Sequence, residues 1–303
     1  MTATVPERPR RLAYLGNPAV AVAPLRALHE ASERLGIEVV VVVTAEDRRR
    51  SRRGVPSPTP VAQAAVELGL PVAHHLSSAV DSDADLGVVV AYGQIIPVSL
   101  LNQLPMLNLH FSLLPRWRGA APVERALLAG DVATGVCLMD VAEELDTGGI
   151  RGRVTTPIGP EETAEDLRGR LGDLGARLLV DGLAAGLEAP EPQQGEPTWA
   201  HKIGSDDLRL DWSRPATELD RMVRVGGAHT TFRGERFKVH SAVPCDGPAN
   251  GPAPGTLVGD IVVTGSGGLR LVEVQPANRA RMAFGAWMTG ARPTDGEGFA
   301  SDG

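Results

Sequence analysis

The run from Ile37 to Val43 constrains the fold most, because every position except Glu38 is β-branched. Such a run is typical of a parallel strand that helices cover on both faces. Comparable short apolar runs recur between helix-like segments, at 12–15, 86–91 and 106–110. Strands that alternate with helices predict an α/β fold with a doubly wound, largely parallel sheet. In such sheets, ligands bind at the carboxyl ends of strands, near the reversal of strand order.

The second half of the chain has a different pattern. A helix is predicted from Thr163 to Gly186, since leucines recur there at steps of four and three. Proline-rich residues 189–205 are typical of a linker. Short β-like runs between Gly and Pro then predict a small OB-like β-barrel. The predicted divisions are a flexible N-terminus at 1–10, an α/β domain at 11–188, a linker at 189–205 and a barrel domain at 206–303.

Composition narrows the class of protein. With 303 residues, of which 43% are hydrophobic and 22% charged, the chain is typical of a globular protein of two domains. No apolar run approaches the roughly 20 residues of a membrane helix, and the N-terminus lacks the apolar core of a secretory signal. Two cysteines and scattered histidines predict no disulfide framework and no metal site. We expect a cytoplasmic protein that neither spans a membrane nor binds a metal ion.

Charge is distributed unevenly, although the net charge is -7. Residues 1–53 carry ten Lys and Arg against six Asp and Glu, whereas residues 54–205 carry nine against nineteen. A single run holds five arginines: Arg48, Arg49, Arg50, Arg52 and Arg53. A local basic loop can bind the phosphates of a nucleic acid even in an acidic protein. A solvated surface loop is the other interpretation.

Asn108, His110 and Asp146 form a candidate catalytic group. On a strand, Asn108 and His110 point to the same face, because side chains alternate. The amide can donate a hydrogen bond to a carbonyl oxygen, and the imidazole can accept and donate a proton. Asp146 can accept from the other imidazole nitrogen and fix the tautomer. The structural alternatives are a satisfied polar pair in the core and a turn aspartate in Asp-Thr-Gly-Gly.

A loop bracketed by Pro115 and Pro122 follows the candidate group. Its sequence from Ser112 is Ser-Leu-Leu-Pro-Arg-Trp-Arg-Gly-Ala-Ala-Pro. The prolines restrict the backbone of a loop whose middle, Arg116-Trp117-Arg118, would be odd to leave exposed without a purpose. We expect this loop to shape the entrance of a substrate site. The alternative is that Trp117 packs under the arginines as a stacked surface pair.

The two segments Asn-Leu-His-Phe-Ser-Leu-Leu-Pro-Arg-Trp-Arg-Gly-Ala-Ala-Pro and Glu-Leu-Asp-Thr-Gly-Gly-Ile resemble the methionyl-tRNA formyltransferase family, and the resemblance covers most of the chain. It implies transfer of a formyl group from 10-formyltetrahydrofolate to the amino group of methionyl initiator tRNA, for translation initiation. It also implies that Asn108, His110 and Asp146 are the catalytic residues. Negative charge builds on the formyl oxygen in this reaction, so hydrogen-bond donors must already be positioned around that oxygen.

The resemblance also implies binding residues. The family's folate-contacting stretch corresponds here to Ser112, Leu113, Leu114 and Pro115. The segment Val89–Pro97 is similar to the family's strand and loop against the pterin ring. Residues 44–58, with the five arginines, correspond to the loop that enters the tRNA acceptor end, and the barrel domain would help to hold the tRNA. The expected partners are this tRNA and the folate co-substrate, and a monomer is expected.

Other interpretations share the same three residues. A folate-dependent formyltransferase acting on a sugar or other small amine is the main alternative, and the Arg-Trp-Arg-Gly-Ala-Ala-Pro stretch with the basic loop favours tRNA over it. The glycinamide ribonucleotide type is usually a single domain, and a formyltetrahydrofolate hydrolase would need no RNA loop. A tRNA-binding protein without catalysis is disfavoured, because buried polar groups are costly without a role.

Overall fold

The computed structural model describes residues 3–49, 55–248, 251–294 and 296–300. Its strands are β1 (Arg11–Gly16), β2 (Glu38–Val43), β3 (Arg48–Arg49), β4 (Pro56–Ser57), β5 (Val72–Ala73), β6 (Leu86–Val90), β7 (Met106–His110), β8 (Arg118–Gly119), β9 (Ala133–Asp140), β10 (Ile150–Pro157), β11 (Trp199–Ala200), β12 (His229–Phe232), β13 (Glu235–Cys245), β14 (Leu257–Val258), β15 (Ile261–Val263), β16 (Gly268–Pro276) and β17 (Met282–Ala283). Its α-helices are α1 (Val22–Leu35), α2 (Pro60–Glu67), α3 (Ser77–Asp81), α4 (Val98–Leu101), α5 (Pro122–Ala129), α6 (Ala164–Ala185), α7 (Ala216–Val225) and α8 (Phe284–Ala291).

A seven-stranded sheet runs in the order β10-β9-β7-β6-β1-β2-β5. The strands from β7 to β5 are parallel, whereas β9 and β10 are antiparallel to their neighbours. Every residue of β6 is buried, as an apolar strand covered on both faces requires. The strand order reverses between β1 and β6, one strand away from β7. The predicted doubly wound, largely parallel sheet is confirmed.

Helices cover both faces of this sheet. On one face, Leu15 of β1 packs in a buried cluster with Ala79 of α3 and Leu101 of α4. On the other face, α6 comes close to β7, since a Cβ at Gly175 would lie 3.4 Å from the Leu109 side chain. Leu109 therefore points into the α6 layer, and the strand residues on either side of it point the opposite way.

The chain forms two compact units. One comprises Met1–Val123, Ala133–Pro157 and Asp166–His201, and the other comprises Glu124–Val132, Ile158–Glu165 and Lys202–Gly303. The divisions expected from the sequence, including a flexible N-terminus at 1–10, stay predictions.

An antiparallel sheet organises the second unit. Its order is β12-β13-β16-β15-β14, and β17 pairs with β16. The amphipathic helix α7 buries Leu219 and Met222 in the same core, which is dominated by aromatic side chains. Those aromatic residues are Trp212, Phe232, Phe237, Phe284, Trp287 and Phe299.

This second sheet is open. Among the described residues, the end strands β12 and β14 do not pair with each other. The terminal segment, residues 296–300, links the two edges instead: Ala300 N donates to Thr231 O at 3.0 Å, and Phe299 N donates to Gly255 O at 2.8 Å. Because these contacts are isolated bridges and not a ladder, the predicted barrel is not closed.

Candidate active site

The structure brings Asn108, His110 and Asp146 together at the carboxyl end of β7. Asn108 Nδ2 lies 3.5 Å from Asp146 Oδ1. His110 Nδ1 lies 3.6 Å from Asp146 Oδ2, and the side chains of these two residues are only 5% and 9% exposed. One carboxylate therefore faces both an amide and an imidazole in a nearly enclosed space.

Asp146 is held by its backbone as well as by its side chain. Its φ of +54° lies in the left-handed region, which costs a non-glycine residue about 1 kcal/mol or more. The N–H of Gly119 donates to Asp146 Oδ2 at 2.8 Å. Gly119 itself has a φ of +122°, and a Cβ there would lie 2.8 Å from Ala200 O. Only glycine fits at position 119, where the backbone reaches the carboxylate.

The Trp117 carbonyl determines the tautomer of His110. Trp117 O lies 2.8 Å from His110 Nε2. A carbonyl oxygen only accepts hydrogen bonds, so Nε2 carries a proton, and in the neutral ring Nδ1 carries none. The Nε2–H group of His110 therefore donates to the Trp117 carbonyl and is not available to a substrate carbonyl. The unprotonated Nδ1 faces Asp146. The separation of 3.6 Å is longer than a normal hydrogen bond.

The segment from Ser112 to Pro115 is only partly available to a ligand. Ser112 is fully buried, and its hydroxyl donates to Arg116 O at 2.6 Å. Leu114 is buried with Cys137, whose thiol pKa is raised by burial. Leu113 and Pro115 are half-buried. Of this segment, only Leu113 and Pro115 therefore expose side chains that a ligand could contact, and the folate role of the whole segment stays a prediction.

The loop after Pro115 is tied to a later part of the chain. Trp117 N donates to Thr198 Oγ1 at 2.9 Å, and Arg118 N donates to Thr198 O at 2.9 Å. The guanidinium of Arg116 stacks 4.5 Å from the centre of the Trp117 ring, as in the stacked alternative. The loop is therefore held by hydrogen bonds to Thr198, and Arg116 stacks on its tryptophan ring.

The predicted RNA loop is anchored at both ends. Thr44 Oγ1 lies 2.6 Å from Thr59 Oγ1 and donates to Asn17 Oδ1 at 3.0 Å. Asn17 follows β1, so the loop leaves and rejoins the carboxyl edge of the sheet at one point. The backbones of Arg48 and Arg49 pair with β4. The side chains of these two residues, and the whole of Arg50, Arg52 and Arg53, lie outside the described part of the chain.

An apolar side chain stands exposed beyond β6. Ile95 is 86% exposed, whereas Tyr92 just before it is buried. Asn17 Nδ2 donates to Tyr92 O and so ties this loop to the end of β1. Since β6 pairs with β7 through Val89 and Asn108, the loop and the candidate group lie at the same edge of the sheet.

The described ranges contain neither a metal-binding cluster nor a membrane span. Within them, no group of three or more His, Cys, Asp or Glu side chains is placed to hold a metal ion. No helix in that part of the chain has the length and apolar character needed to cross a membrane.

Sequence reasoning missed two contributors to the site. Gly119 provides an N–H to Asp146, and its place before Ala-Ala-Pro gave only a weak signal for a special backbone position. Gln193, which lies in the predicted linker, donates to the Asp146 carbonyl at 2.8 Å. Gln193 and its neighbour Gln194 lie in a proline-rich segment without a periodic pattern, so nothing in the sequence indicated this contact.

Two family models cover most of the chain. Residues 10–183 match the model described as formyl transferase, and residues 202–292 match that of the formyl transferase C-terminal domain. A methionyl-tRNA formyltransferase of Leifsonia xyli subsp. xyli is 44% identical, over 93% of this chain and 97% of that protein. One of Acidothermus cellulolyticus is 41% identical, over 95% of this chain and 99% of that protein. The chain belongs to the methionyl-tRNA formyltransferase family, as the resemblance predicted.

Solved structures share the fold at low identity. An N-formyltransferase from Helicobacter canadensis, in complex with folinic acid and dTDP-3-aminofucose, superposes with a TM-score of 0.64 at 16% identity, covering 89% of this chain and 100% of that one. HypX from Aquifex aeolicus, in complex with tetrahydrofolic acid, gives a TM-score of 0.60 at 18% identity, covering 93% of this chain and 47% of that one. These likenesses establish the fold alone.

Proposed function

We propose that the chain transfers the formyl group of 10-formyltetrahydrofolate to the amino group of methionyl initiator tRNA, for translation initiation. The observation that carries the proposal is that Asn108 and His110, at the end of β7, each have a side-chain nitrogen within 3.6 Å of the Asp146 carboxylate. Relatives 44% and 41% identical over nearly their whole length carry the name methionyl-tRNA formyltransferase, which supports tRNA as the acceptor.

The geometry suggests a role for each of the three side chains. Asn108 Nδ2 has two hydrogens, of which one faces Asp146, and the second donates to the formyl oxygen as negative charge grows there. His110 takes the proton of the attacking amine on Nδ1 while Nε2 stays paired with the Trp117 carbonyl. Asp146 stabilises the resulting imidazolium. His110 then returns the proton to the folate nitrogen that leaves the formyl carbon.

Apolar residues that follow β6 and β7 suit a folate. Ile95, exposed to 86%, offers an apolar contact for a planar ring. Leu113 and Pro115, both half-buried, follow His110 by three and five residues and offer further apolar surface. An apolar wall with a few converging polar groups is the usual form of a small-molecule site. The folates in complex with two proteins of the same fold support this assignment.

The proposal includes the partners and the location of the chain. The five arginines from Arg48 to Arg53 bind phosphates of the tRNA acceptor end, because guanidinium groups pair well with phosphate. The domain at 11–188 carries the catalysis, and the domain at 206–303 helps to hold the tRNA. The protein acts as a monomer in the cytoplasm, where initiator tRNA is charged.

A product assay tests the proposal. The chain is incubated with 10-formyltetrahydrofolate and either methionyl initiator tRNA, methionyl elongator tRNA or a nucleotide-sugar amine. We expect formylmethionyl product on the initiator tRNA, with far less on the elongator tRNA. Product on the sugar amine alone would support the alternative enzyme, and retained tRNA binding without any product would indicate a binding protein. Either result would overturn the proposed function.

A further inference from the structure

Gln193 uses the full hydrogen-bonding capacity of its side chain beside the candidate site. Its Nε2 donates to two backbone carbonyls, Asp146 O at 2.8 Å and Gly148 O at 2.9 Å. Its Oε1 accepts twice from the guanidinium of Arg118, from Nε at 3.0 Å and from Nη2 at 2.7 Å. A primary amide has two donor hydrogens and two acceptor lone pairs, so all four are satisfied.

The chemistry fixes the orientation of this amide. Turning it over would place Oε1 against two carbonyl oxygens and Nε2 against a guanidinium that can only donate. Neither contact would then be a hydrogen bond. Gln193 therefore has one orientation, in which it joins the backbone around Asp146 to the loop that carries Arg118.

Both segments joined by Gln193 supply atoms to the candidate catalytic group. Asp146 supplies the carboxylate, and its left-handed backbone, with φ of +54°, needs outside support to persist. The loop supplies Trp117 O to His110 and Gly119 N to the carboxylate. Loosening the glutamine would free the two segments to shift relative to each other. A shift of about 1 Å can cost about 100-fold in rate.

We infer that Gln193 is a positioning residue: through Arg118 and the carbonyls of residues 146 and 148, its side-chain amide holds the Asp146 carboxylate in register with His110. The inference rests on the proposed function, because Asp146 must act in formyl transfer for its position to matter. None of the four hydrogen bonds of Gln193 reaches a candidate catalytic side chain. Its effect therefore passes entirely through Asp146 and the loop.

The test uses an isosteric substitution in the full chain. Gln193→Glu keeps the length and the acceptor toward Arg118 but removes both donors to the carbonyls. We expect kcat for formylation of methionyl initiator tRNA to fall at least about tenfold, with KM for both substrates within about twofold of the wild type. Gln194→Glu is the matched control, because Gln194 is exposed and the substitution adds the same charge one residue away. It is expected to behave as the wild type.

A double variant separates positioning from a general structural effect. In single-turnover measurements, Gln193→Glu added to Asp146→Asn should lower the rate no further than Asp146→Asn alone, because groups that act as a unit are not additive. Gln193→Met, uncharged and similar in length, undergoes the same assays in case the new carboxylate prevents folding. A wild-type kcat in either Gln193 variant, or an additive loss in the double variant, would overturn the inference. An inactive wild type would instead overturn the proposed function.

Discussion

Asp146 is the residue on which the contacts of the site converge. Its carboxylate faces Asn108 and His110 and accepts from Gly119 N, while its own carbonyl accepts from Gln193. Asn would preserve the shape of the side chain at this position. It would also remove the negative charge that faces His110 Nδ1 and place an N–H donor or a neutral oxygen there.

Substituting these residues should therefore lower turnover strongly. We expect Asp146→Asn and His110→Ala each to lower kcat at least about 100-fold, as is usual when a general acid–base group is removed. Rates are measured by formylation of methionyl initiator tRNA at saturating substrate. Glu143→Gln, which removes an exposed carboxylate nearby, is the control and should retain full activity. Wild-type rates in both site variants would refute the mechanism.

At the level of elements, the terminal segment holds the edges of the open C-terminal sheet together. Arg233, just after β12, donates from Nη2 to Glu297 Oε2 at 2.8 Å, and Thr294 N donates to the same carboxylate at 3.0 Å. These bonds lower the pKa of Glu297 from 4.5 to about 2. The carboxylate therefore favours the folded state when it is ionised.

The sign of this shift predicts a pH dependence of stability. The contribution of Glu297 is complete above pH 4.5 and is lost as the pH falls toward about 2, because the unfolded chain takes up the proton first. Glu297→Gln should thus lower the urea midpoint at pH 7 and lower it less at pH 3.5. Glu235→Gln, at the exposed start of β13, is the control. Equal differences at both pH values would contradict the role of the ion pair.

At the scale of the whole molecule, the charge is separated along the chain. The net charge of -7 would repel RNA, yet five arginines lie between positions 48 and 53. Their loop is tied to the sheet edge by Thr44, Thr59 and Asn17, at the same edge as Asn108. A basic loop anchored at that edge would bind phosphates close to where the acceptor amine must react.

Salt dependence tests the role of the arginine run. Arg52→Gln combined with Arg53→Gln should weaken tRNA binding and flatten the dependence of log Kd on log salt, by about 0.7 to 0.9 for each phosphate that the protein no longer neutralises. The charge-matched control is Arg8→Gln with Arg34→Gln, at exposed positions elsewhere. Its slope should change little. If both double variants give the same slope, the loop does not bind the tRNA backbone.

Periodic patterns in the sequence predicted the regular part of the fold. The leucine spacing predicted a helix over 163–186, and α6 spans Ala164–Ala185. The β-branched run at 37–43 became β2 at Glu38–Val43. Helix α8 was missed, because Gly285 and Gly290 disfavour a helix and its apolar residues show no clear stripe.

Hydrogen bonds between distant segments could not be predicted in the same way. Asn108 and His110 were placed on one face by strand alternation alone, and the structure has them so. The contact of Trp117 with His110 depends on a left-handed backbone, with φ of +65° at Trp117, which no pattern in the sequence indicated. Gln193 joins positions that are 47 and 75 residues away. Such contacts arise only once the fold brings their segments together.

The position of Gln193 also matters when the N-terminal domain is to be expressed on its own. A truncation after residue 188 would retain all three candidate catalytic side chains yet discard the amide that supports Asp146. Weak activity of that fragment would then result from the loss of Gln193 and not from the loss of the second compact unit. Ending the fragment after His201 would keep the two explanations apart.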